Sequence, residues 1–477
     1  MEPPNFLILM SDNHSWNHLG CYGDTSVQTP NIDRVADGGV RFTQAYCPAP
    51  SCTPARSAML TGQDIWRLEE GANLWGTLPS RFTVFTDLLE EAGYLVGYEG
   101  KGWGPGSYEA GGWARNPAGD RYGSFEEFYN ERERGQPFCY WFSSRDPHRP
   151  YRSDGGKEAG IDPDSVEVPP YLPDDPSVRL DIADYYAEIE HFDTEVAGHL
   201  ALLSEFGATH DTVVIIASDN GWQMPRGLAN LYDAGTRLPL IISFAERFPG
   251  GRVVDDFVSL ADFAPTVLEL AGLPIPGEVT AKSLVPILTS ERSGTVDPER
   301  SFVVTARERH AFVRRGGPGY PARAIRTREH LYIRNYAADL WPAGDPPLFG
   351  DVDAHMLHYP SPTKMLLLQR RDQPGFRALF ELGFAKRPAE ELYVLADDPH
   401  QMNNVAGDAS HAAVKEELAS QLREHLAATG DPREVGGEMK WEGAKYFQER
   451  DLTPEPSPEA IEALGLEERY SYLEPAD

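Results

Sequence analysis

Two apolar runs, each followed almost at once by an Asp-Asn pair, constrain the fold of this chain more than any other feature. The two segments are residues 5–13, which end in Asp12-Asn13, and residues 212–220, which end in Asp219-Asn220. Uninterrupted apolar runs of about six residues are typical of strands buried on both faces, as in a parallel sheet covered by helices. Ligands of such sheets bind beyond the carboxyl ends of the strands, where both pairs lie. The pattern therefore predicts an α/β sheet with a candidate ligand site at this edge.

Strand-like and helix-like segments alternate between residues 1 and 312. The further strand candidates are residues 94–98, 138–142, 238–243 and 302–305. Amphipathic or capped helical segments lie at residues 31–38, 84–92, 180–206 and 260–271. This alternation indicates a doubly wound α/β domain with a large mixed, mostly parallel sheet flanked by helices. We therefore predict one large domain over residues 1–312.

The sequence pattern changes after residue 312. Three short strand-like segments and one amphipathic helix follow, at residues 324–326, 332–334, 391–395 and 413–428. They predict a smaller α+β domain with a short antiparallel sheet over residues 313–477, packed on the large domain. The tail beyond residue 449 is acidic and contains prolines, so we expect it to wrap the surface or to stay loose.

The charge balance limits the partners that this chain can bind. It has 74 acidic and 43 basic residues among 477, a formal net charge of −31. A surface of that sign repels nucleic acid and anionic membranes, so we expect neither as a partner, and a small anionic substrate requires a local cluster of cations. The four cysteines do not make a disulfide scaffold.

No targeting or membrane-spanning segment is visible near the start of the sequence. The longest early apolar run, residues 6–10, is far shorter than the roughly 20 residues of a membrane span, and it lacks the flanks of a signal peptide. We expect a periplasmic or secreted protein if a signal peptide has been removed, and a cytoplasmic one otherwise.

The two Asp-Asn pairs offer only oxygen atoms as ligands. Asp12, Asn13, Asp219 and Asn220 supply carboxylate and amide oxygens, which suit a hard cation such as Ca²⁺ or Mg²⁺ better than zinc. An Asp-Asn pair after a strand is also a common turn or helix cap, and this alternative applies to each pair. Two such pairs after two similar strands favour a metal site.

Residues 51–62 contain a cysteine whose neighbours suggest chemistry. The segment indicates a loop that opens a helix, with Cys52 near the helix N-terminus and Arg56 one turn further along. Both the helix dipole and a guanidinium favour a thiolate. The alternative is a buried cysteine that packs as a small apolar side chain.

These residues carry a resemblance to a known family. Cys52-x-Pro54-x-Arg56, followed by Thr61-Gly62, resembles the signature of the type I sulfatases in the alkaline phosphatase superfamily. The other matching segments are Asp12-Asn13, residues 29–33, Asp146-Pro147-His148, residues 218–221, residues 390–393 and Asp398-Pro399. Residues 100–106, 146–150 and 386–391 are most similar to the heparan N-sulfatase-like branch. The resemblance covers most of the chain and implies the alkaline phosphatase-like fold, with residues 1–312 as the catalytic domain.

The resemblance implies a modified cysteine and a metal. In such enzymes the cysteine matching Cys52 is oxidised by a maturation enzyme to formylglycine, whose hydrate attacks the sulfur atom. The metal, Ca²⁺ or alternatively Mg²⁺, acts as a Lewis acid on the sulfuryl oxygens. Its implied ligands here are Asp12, Asn13, Asp219, Asn220 and the side chain of residue 52.

Three further roles follow from the same resemblance. Arg56 would hold the oxygen of the nucleophile by charge-assisted hydrogen bonds, and Lys101 would contact a sulfate oxygen. His148 would either contact the sulfate or protonate the leaving oxygen or nitrogen, a general-acid role that suits imidazole. The structural alternatives are a solvated surface lysine at position 101 and a turn residue beside two prolines at position 148.

Two positions depart from the family pattern. Trp103 stands where many sulfatases have a histidine two residues after the lysine, and Leu228 stands near the place of a second sulfate-binding lysine. The nearby groups that can replace them are His14, Arg226, Arg237 and His310. The candidate substrate-binding residues are therefore His310, Arg237, Arg226 and Trp103. Four tryptophans are candidates for stacking on sugar rings, although packing in the core is the commoner fate of each: Trp75, Trp103, Trp113 and Trp341.

The sequence predicts a sulfatase that hydrolyses sulfate esters, or N-sulfamates, of a sulfated carbohydrate. One alternative is a phosphoester or phosphonate monoester hydrolase, because that related group shares the modified cysteine and the metal site. A second alternative, motivated by Trp103 and Leu228, is a relative that binds sulfated carbohydrate without catalysis.

Overall fold

A large sheet of nine strands forms the centre of the molecule. The computed structural model describes residues 3–245, 247–351, 361–448 and 462, so the predicted acidic tail beyond residue 449 lies outside the described residues except at Glu462. The strands of the large sheet are β1 (Asn5–Ser11), β2 (Val40–Tyr46), β3 (Leu95–Gly100), β4 (Asp120–Arg121), β5 (Phe138–Ser143), β6 (Thr212–Ser218), β7 (Arg237–Ser243), β8 (Arg252–Val254) and β9 (Val258–Ser259).

The strand order of the large sheet is β4-β3-β5-β1-β6-β7-β2-β8, with β9 also paired to β2. Strand β7 runs antiparallel to both of its neighbours, and the remaining pairs among the described strands are parallel. The sheet is therefore mixed and mostly parallel, which confirms the predicted fold class. The two strands that precede the Asp-Asn pairs, β1 and β6, are neighbours at its centre.

Helices lie on both faces of the large sheet. Over the described residues the helices are α1 (Pro30–Gly38), α2 (Cys52–Thr61), α3 (Phe85–Glu91), α4 (Phe125–Glu131), α5 (Gly155–Ala159), α6 (Pro176–Glu205), α7 (Asp233–Thr236), α8 (Phe263–Leu270), α9 (Val285–Leu288), α10 (Pro362–Arg370), α11 (Arg377–Phe384), α12 (Ala412–Ala428) and α13 (Pro432–Val435). Because side chains alternate along a strand, Phe6 and Ile8 of β1 pack in the core layer of α2 and α8, while Leu7 and Leu9 pack in the layer of α6. This two-sided burial explains the uninterrupted apolar run in β1.

A second, smaller sheet has four antiparallel strands. They are β10 (Phe302–Arg307), β11 (Ala322–Thr327), β12 (His330–Asn335) and β13 (Glu390–Val394). The predicted strands near residues 324, 332 and 391 and the predicted helix at 413–428 therefore all exist. Helix α12 contacts β11 and β12, and its buried leucines join the core of the large sheet. No helix in the described ranges has both the length and the apolar character needed to cross a bilayer.

Residues 302–305 were expected in the alternating strands of the large domain, and this expectation is wrong. They form a strand, β10, but it pairs with β11 in the small sheet from Phe302 to Arg307. The apolar run shows that a strand forms, whereas its partner depends on a register with a segment further along the chain. The small sheet therefore begins before residue 312, and the domain limits of 1–312 and 313–477 stay a proposal.

Candidate active site

The two Asp-Asn pairs lie side by side at the carboxyl edge of the large sheet. Strands β1 and β6 pair in parallel from Asn5 with Thr212 to Ser11 with Ser218, so both strands end at the same level. The backbone N–H of Asn13 donates to Oδ1 of Asp219 at 3.2 Å, which joins the two loops directly. Asp12, Asn13, Asp219 and Asn220 are all almost fully buried.

Cys52, at the first turn of α2, places its sulfur atom in the middle of this group. Its Sγ lies 3.5 Å from Oδ1 of Asp12, 3.9 Å from Oδ1 of Asn13 and 3.5 Å from Nδ2 of Asn220. The ligand-type atoms of Asp12, Cys52 and Asp219 lie within 4.8 Å of one another. The three chain segments that the sequence marks separately therefore converge on one point.

The side chains around Cys52 fit a hard cation. Asp12 and Asp219 supply carboxylates, and Asn13 and Asn220 supply amide oxygens. Oδ1 of Asn220 is buried and has no hydrogen-bond partner among the described residues. A buried carbonyl oxygen without a partner is unfavourable by about 1–3 kcal/mol, and a cation bound beside it would remove this cost. Oxygen donors of this kind are the ligands that Ca²⁺ and Mg²⁺ prefer.

Arg56 lies one turn beyond Cys52 on α2 and is fully buried. Its Nε donates to Oδ2 of Asp219 at 2.8 Å, and its Nη1 donates to the carbonyl oxygen of Gly102 and to Oγ of Ser143 at 2.6 and 2.7 Å. Its Nη2 lies 3.9 Å from Oδ2 of Asp12. The guanidinium therefore bridges the two carboxylates and holds them in place around Cys52.

Lys101 reaches the same site from the end of β3. Gly100 has a φ of 82°, and a Cβ atom there would lie 2.0 Å from the carbonyl oxygen of Ser143, so only glycine fits this turn. The turn directs Nζ of Lys101 to Oδ2 of Asp12 at 2.6 Å. Burial alone would raise the pKa of Asp12, but Lys101, His148 and Arg56 outweigh it, and the net pKa shift is downward. Asp12 is therefore an anion at any ordinary pH.

Of the two alternatives that the sequence leaves open for Cys52, the surroundings in the structure favour the neutral thiol. Burial raises the pKa of the Cys52 thiol well above its ordinary value, and the carboxylates of Asp12 and Asp219 raise it further, while Lys101 and Arg56 compensate only in part. The local sequence shows the helix N-terminus and Arg56 but not the two carboxylates that the fold brings to the sulfur. Burial and the two carboxylates therefore favour the protonated form of the unmodified cysteine.

His148 lies on the loop that follows β5 and lines the same cavity as Cys52. Its Nδ1 hydrogen-bonds the carbonyl oxygen of Arg149, and because a carbonyl oxygen only accepts, Nδ1 carries the hydrogen. Burial lowers the pKa of His148, although the Asp12 carboxylate opposes this effect. Two residues earlier in the loop, Asp146 contacts Nδ1 of His191 on α6 at 2.6 Å. The hydrogen bond to Arg149 thus defines the orientation and the tautomer of the His148 imidazole.

A cavity of about 640 Å³ opens above these groups. Its polar end is formed by Asp12, Asn13, Cys52, Lys101 and His148. The rest of the lining includes polar and cationic side chains, namely Arg145, Arg149, Gln223 and His310. It also includes mainly apolar ones, namely Leu74, Trp75, Leu228, Phe312 and Tyr446. His310 is therefore the one residue of the four substrate-binding candidates that the described structure places in this cavity. Leu228 also lines it, so the usual lysine has an apolar replacement.

Trp103 was expected to contact substrate, and the structure contradicts this expectation. The indole is only 2% exposed and packs in the core, and its Nε1 donates to Oγ of Ser57 at 2.8 Å. The backbone of Trp103 is held by the side chain of Asn116 in two hydrogen bonds. The residue that stands in place of the usual histidine is therefore part of the scaffold beneath Cys52 and not of the cavity wall.

Arg226 and Arg237 were also expected at the substrate, but both line a separate cavity of about 530 Å³. Arg226 is buried over the ring of Tyr232 and donates to the carbonyl oxygens of Leu382 and Gln401. Arg237 donates to the carbonyl oxygen of Thr43 and stacks on a neighbouring indole. Main-chain carbonyl oxygens from remote segments determine where these guanidiniums lie. The sequence around each arginine does not show these acceptors.

His14 is likewise not part of the cavity wall. Its ring nitrogens bond Oγ of Ser11 at 3.3 Å and the carbonyl oxygen of His18 at 3.1 Å. Burial lowers the pKa of His14 to about 3, so the ring is neutral. Its hydrogen bonds support the loop that carries Asp12 and Asn13.

The sequence did not single out Gln223, which lines the cavity next to the second Asp-Asn pair. Its Oε1 accepts the backbone N–H of Arg149 at 2.7 Å, so the amide orientation is determined. Its Nε2 is buried and has no hydrogen-bond partner in the described part of the chain. The only signal in the sequence is that Gln223 follows Asp219-Asn220 by three residues. A buried donor at this position is available to an anionic ligand.

Comparison with known proteins places this site in a family context. The family described as Sulfatase matches residues 4–118 and 120–273, more than half of the chain. The chain is 28% identical over 480 residues to the N-sulphoglucosamine sulphohydrolase of Homo sapiens, and the match covers 90% of this chain and 91% of that relative.

The fold is also similar to solved structures across almost the whole chain. A structure described as a complex with its substrate, D-glucosamine-2-N,6-O-disulfate, has a TM-score of 0.66 at 18% identity and covers 91% of this chain and 100% of its own. The phosphonate monoester hydrolase of Agrobacterium radiobacter has a TM-score of 0.62 at 18% identity, with coverages of 89% and 96%. At these identities the likeness concerns the fold, which is alkaline phosphatase-like.

Proposed function

Because this chain belongs to the sulfatase family and is a sulfuric ester hydrolase, we propose that it removes sulfate from a sulfated carbohydrate, as an ester or an N-sulfamate. The observation that carries this proposal is the position of Cys52, surrounded by Asp12, Asp219 and Asn220 at the base of a cavity. The chain's similarity to an enzyme named for N-sulphoglucosamine supports the substrate class.

We propose that Cys52 is converted to formylglycine by a maturation enzyme and that the site binds one divalent cation, with Ca²⁺ preferred to Mg²⁺. Asp12, Asn13, Asp219, Asn220 and residue 52 would hold the cation. Four oxygen-bearing side chains favour Ca²⁺, because Mg²⁺ usually keeps several waters and takes only one or two carboxylates. When present, the cation supplies Lewis-acid chemistry and the modified side chain supplies an oxygen nucleophile.

The remaining side chains of the site would bind the sulfate group and stabilise its negative charge. The ammonium group of Lys101 lies beside Asp12. Because it is largely removed from bulk water, its attraction for a sulfate oxygen would be stronger than in solution. Arg56 keeps the two carboxylates in position through its contacts with Asp219 and Asp12. Lys101 and Arg56 offset the charges of Asp12 and Asp219, so a divalent cation held here would make the site positive and able to bind an anionic group in a chain with a net charge of −31.

His148 is proposed as the general acid for the leaving group. Since Nδ1 donates its hydrogen to the carbonyl oxygen of Arg149, the proton for a leaving oxygen or nitrogen would come from Nε2 of the imidazolium form. Burial lowers the pKa of His148 in the protein alone. An anionic sulfate beside the ring would favour the charged imidazolium, so substrate binding itself would promote protonation of His148.

The test combines mass spectrometry with kinetics. The peptide that contains Cys52 is analysed for conversion of the thiol to the aldehyde, and turnover is measured on N-sulfoglucosamine, N-acetylglucosamine 6-sulfate, nitrophenyl sulfate and nitrophenyl phosphate. We expect turnover of sulfates that disappears in Cys52→Ala but not in Cys21→Ala, which makes the same change at a remote thiol. A strong preference for the phosphate, or no turnover of any sulfate after complete conversion, would contradict the proposal.

A further inference from the structure

Three aromatic rings form one wall of the cavity above Cys52. Trp75, Phe312 and Tyr446 all line this cavity. The ring centroid of Tyr446 lies 6.3 Å from that of Trp75 and 5.9 Å from that of Phe312, so Tyr446 contacts both of the other rings. We call these three residues the aromatic wall. Among the four tryptophans proposed for sugar stacking, only Trp75 lies here, because Trp103, Trp113 and Trp341 are not among the residues that line the cavity.

The aromatic wall is built from three segments that are distant in sequence. The backbone N–H of Phe447 donates to the carbonyl oxygen of Trp75 at 2.8 Å, and that of Leu74 donates to the carbonyl oxygen of Arg309 at 3.0 Å. The fully buried Asn73 joins all three segments, since its Nδ2 donates to the carbonyl oxygen of Trp441 at 2.8 Å and its Oδ1 accepts the N–H of Arg309 at 3.1 Å. These hydrogen bonds hold together the three chain segments that carry the rings.

Trp75 adopts a backbone conformation that a bulky residue rarely takes. Its φ is +53°, in the left-handed region, at a cost of about 1–3 kcal/mol. The hydrogen bonds to Leu74 N–H and to the carbonyl oxygen of Trp75 hold this conformation. The indole is only half-buried, so the conformation is not needed to fill the core. Strain that presents a partly exposed aromatic ring to a reaction cavity is typical of a binding role.

The chemistry of the aromatic wall differs from that of the charged residues in the cavity. Leu74 and Val313, the chain neighbours of Trp75 and Phe312, are apolar and also line the cavity, as does the uncharged Gln448, whereas the cations Lys101 and Arg145 belong to other segments. The Arg309 guanidinium stacks on Tyr446 with 5.5 Å between the guanidinium carbon and the ring centroid. Its Nη1 and Nη2 donate to the main-chain carbonyls of Ala444 and Lys445, so these hydrogen bonds are made within the protein. A wall of this kind suits a neutral, flat, apolar surface.

We propose that the aromatic wall binds the apolar C–H face of the pyranose ring that carries the sulfate, and thereby selects the leaving group. This inference rests on the proposed function. Lys101 and the residues around Cys52 recognise the sulfate, whereas Trp75, Phe312 and Tyr446 recognise the sugar. The site would accordingly prefer a sugar with an unobstructed apolar face and disfavour a second sulfate on that face.

Separating sugar recognition from sulfate recognition tests the proposal. In Trp75→Ala and Tyr446→Leu, kcat/KM for N-sulfoglucosamine or N-acetylglucosamine 6-sulfate should fall about tenfold, mainly through KM, since one aromatic contact contributes a factor of this order. The inhibition constant of inorganic sulfate should not change. Trp75→Phe should retain part of the affinity, and Trp341→Ala, which removes a half-buried tryptophan elsewhere, should behave as wild type.

Two outcomes would overturn the proposal. Wild-type KM values in both Trp75→Ala and Tyr446→Leu would exclude a contact with the sugar. A parallel rise in the inhibition constant of inorganic sulfate would show that the wall only supports the site around Cys52. The wall is also tested without turnover, by calorimetric titration with sulfate-free N-acetylglucosamine. Binding that Trp75→Ala weakens supports the wall even if the wild type cleaves no sulfate, and absence of binding to the wild type contradicts it.

Discussion

Arg149 and Asp181 form a buried, two-pronged ion pair that joins the loop of His148 to helix α6. Nη1 and Nη2 of Arg149 donate to the two carboxylate oxygens of Asp181, both at 2.8 Å. The two side chains are only 1% and 2% exposed. Oγ1 of Thr363 donates to the same carboxylate at 2.6 Å. Because Arg149 follows His148 directly, this ion pair positions the proposed general acid.

Asp181→Asn should destabilise the protein and misplace His148. Removing one charge of a buried pair leaves the other without compensation, so we expect a loss of about 3 kcal/mol in the free energy of unfolding. Urea unfolding measures this loss, and kcat on a substrate with a poor leaving group should fall in the fraction that remains folded. Asp174→Asn is the matched control, since Asp174 forms a similar two-pronged pair with Arg179 at the surface. Equal losses in the two variants would contradict the structural role of the buried pair.

Asp219→Asn should remove the bound cation. Asp219 faces Cys52, and its carboxylate accepts a hydrogen bond from Arg56. The change therefore removes both a charged ligand and the charged partner of a buried guanidinium. Metal analysis after dialysis should show loss of the ion, and added Ca²⁺ should no longer raise the melting temperature as it does for a protein that binds it. Asp256→Asn, at a buried carboxylate that accepts the N–H groups of Val296 and Asp297, should keep the ion. For the wild type, a larger shift with Mg²⁺ than with Ca²⁺ would contradict the preference for Ca²⁺.

The large sheet could be predicted because its strands are marked locally. Residues 6–10 and 213–217 are apolar throughout, since each strand is buried on both faces, and the Asp-Asn pairs that follow must then meet at one edge. The partner of a strand is not marked in this way. Residues 302–305 have the same apolar character, but they pair with β11, and only the complete fold determines that register.

The candidate site could be predicted where a residue is held by its own strand or helix, and not where its side chain is held by remote segments. Cys52 opens α2 and Lys101 follows β3, so both point to the edge of the sheet as expected. Arg226 instead turns towards the main-chain carbonyls of Leu382 and Gln401, and Tyr446 joins the cavity wall from a segment almost 400 residues beyond Cys52. Such contacts depend on tertiary packing, for which a local pattern carries no signal.

His148→Ala should affect poor leaving groups more than good ones. A general acid contributes most when the leaving oxygen or nitrogen cannot depart as an anion, and its loss typically costs about 10²- to 10⁴-fold in rate. We therefore expect a loss in this range on a sulfated sugar and a much smaller one on nitrophenyl sulfate, whose nitrophenolate leaves without a proton. Parallel kinetics on the two substrates measure the difference. Equal losses on both would assign His148 to sulfate binding instead.

His310 should make the protein less stable as the pH falls below about 6.5. Burial lowers the pKa of His310 to about 4, whereas the unfolded chain protonates this side chain near pH 6.5. Between these values the unfolded state binds a proton that the native state does not, so the free energy of unfolding falls by about 1.4 kcal/mol per pH unit from this residue. Above pH 6.5 both states are neutral, and the contribution no longer changes.

Urea unfolding of the wild type and of His310→Gln at pH 7, 6 and 5 measures this effect. The variant cannot take up the proton, so its stability should depend less steeply on pH, by about 1.4 kcal/mol per unit. Burial also lowers the pKa values of His14 and His18 to about 3, and these two histidines should leave a residual slope of the same sign in His310→Gln. Identical slopes for wild type and variant would show that His310 is not buried as a neutral group.

Gln223→Glu should weaken the binding of sulfate. The substitution retains an oxygen for the N–H of Arg149, but it replaces the unpaired Nε2 donor by an acceptor with negative charge. A hydrogen bond to a charged group is worth about 1.5–3 kcal/mol, so the inhibition constant of inorganic sulfate should rise roughly 10- to 100-fold. Gln448→Glu adds the same charge at another point of the cavity lining and should have a much smaller effect. If both variants weaken sulfate binding equally, the cause is the general potential of the cavity, and the amide of Gln223 makes no direct contact.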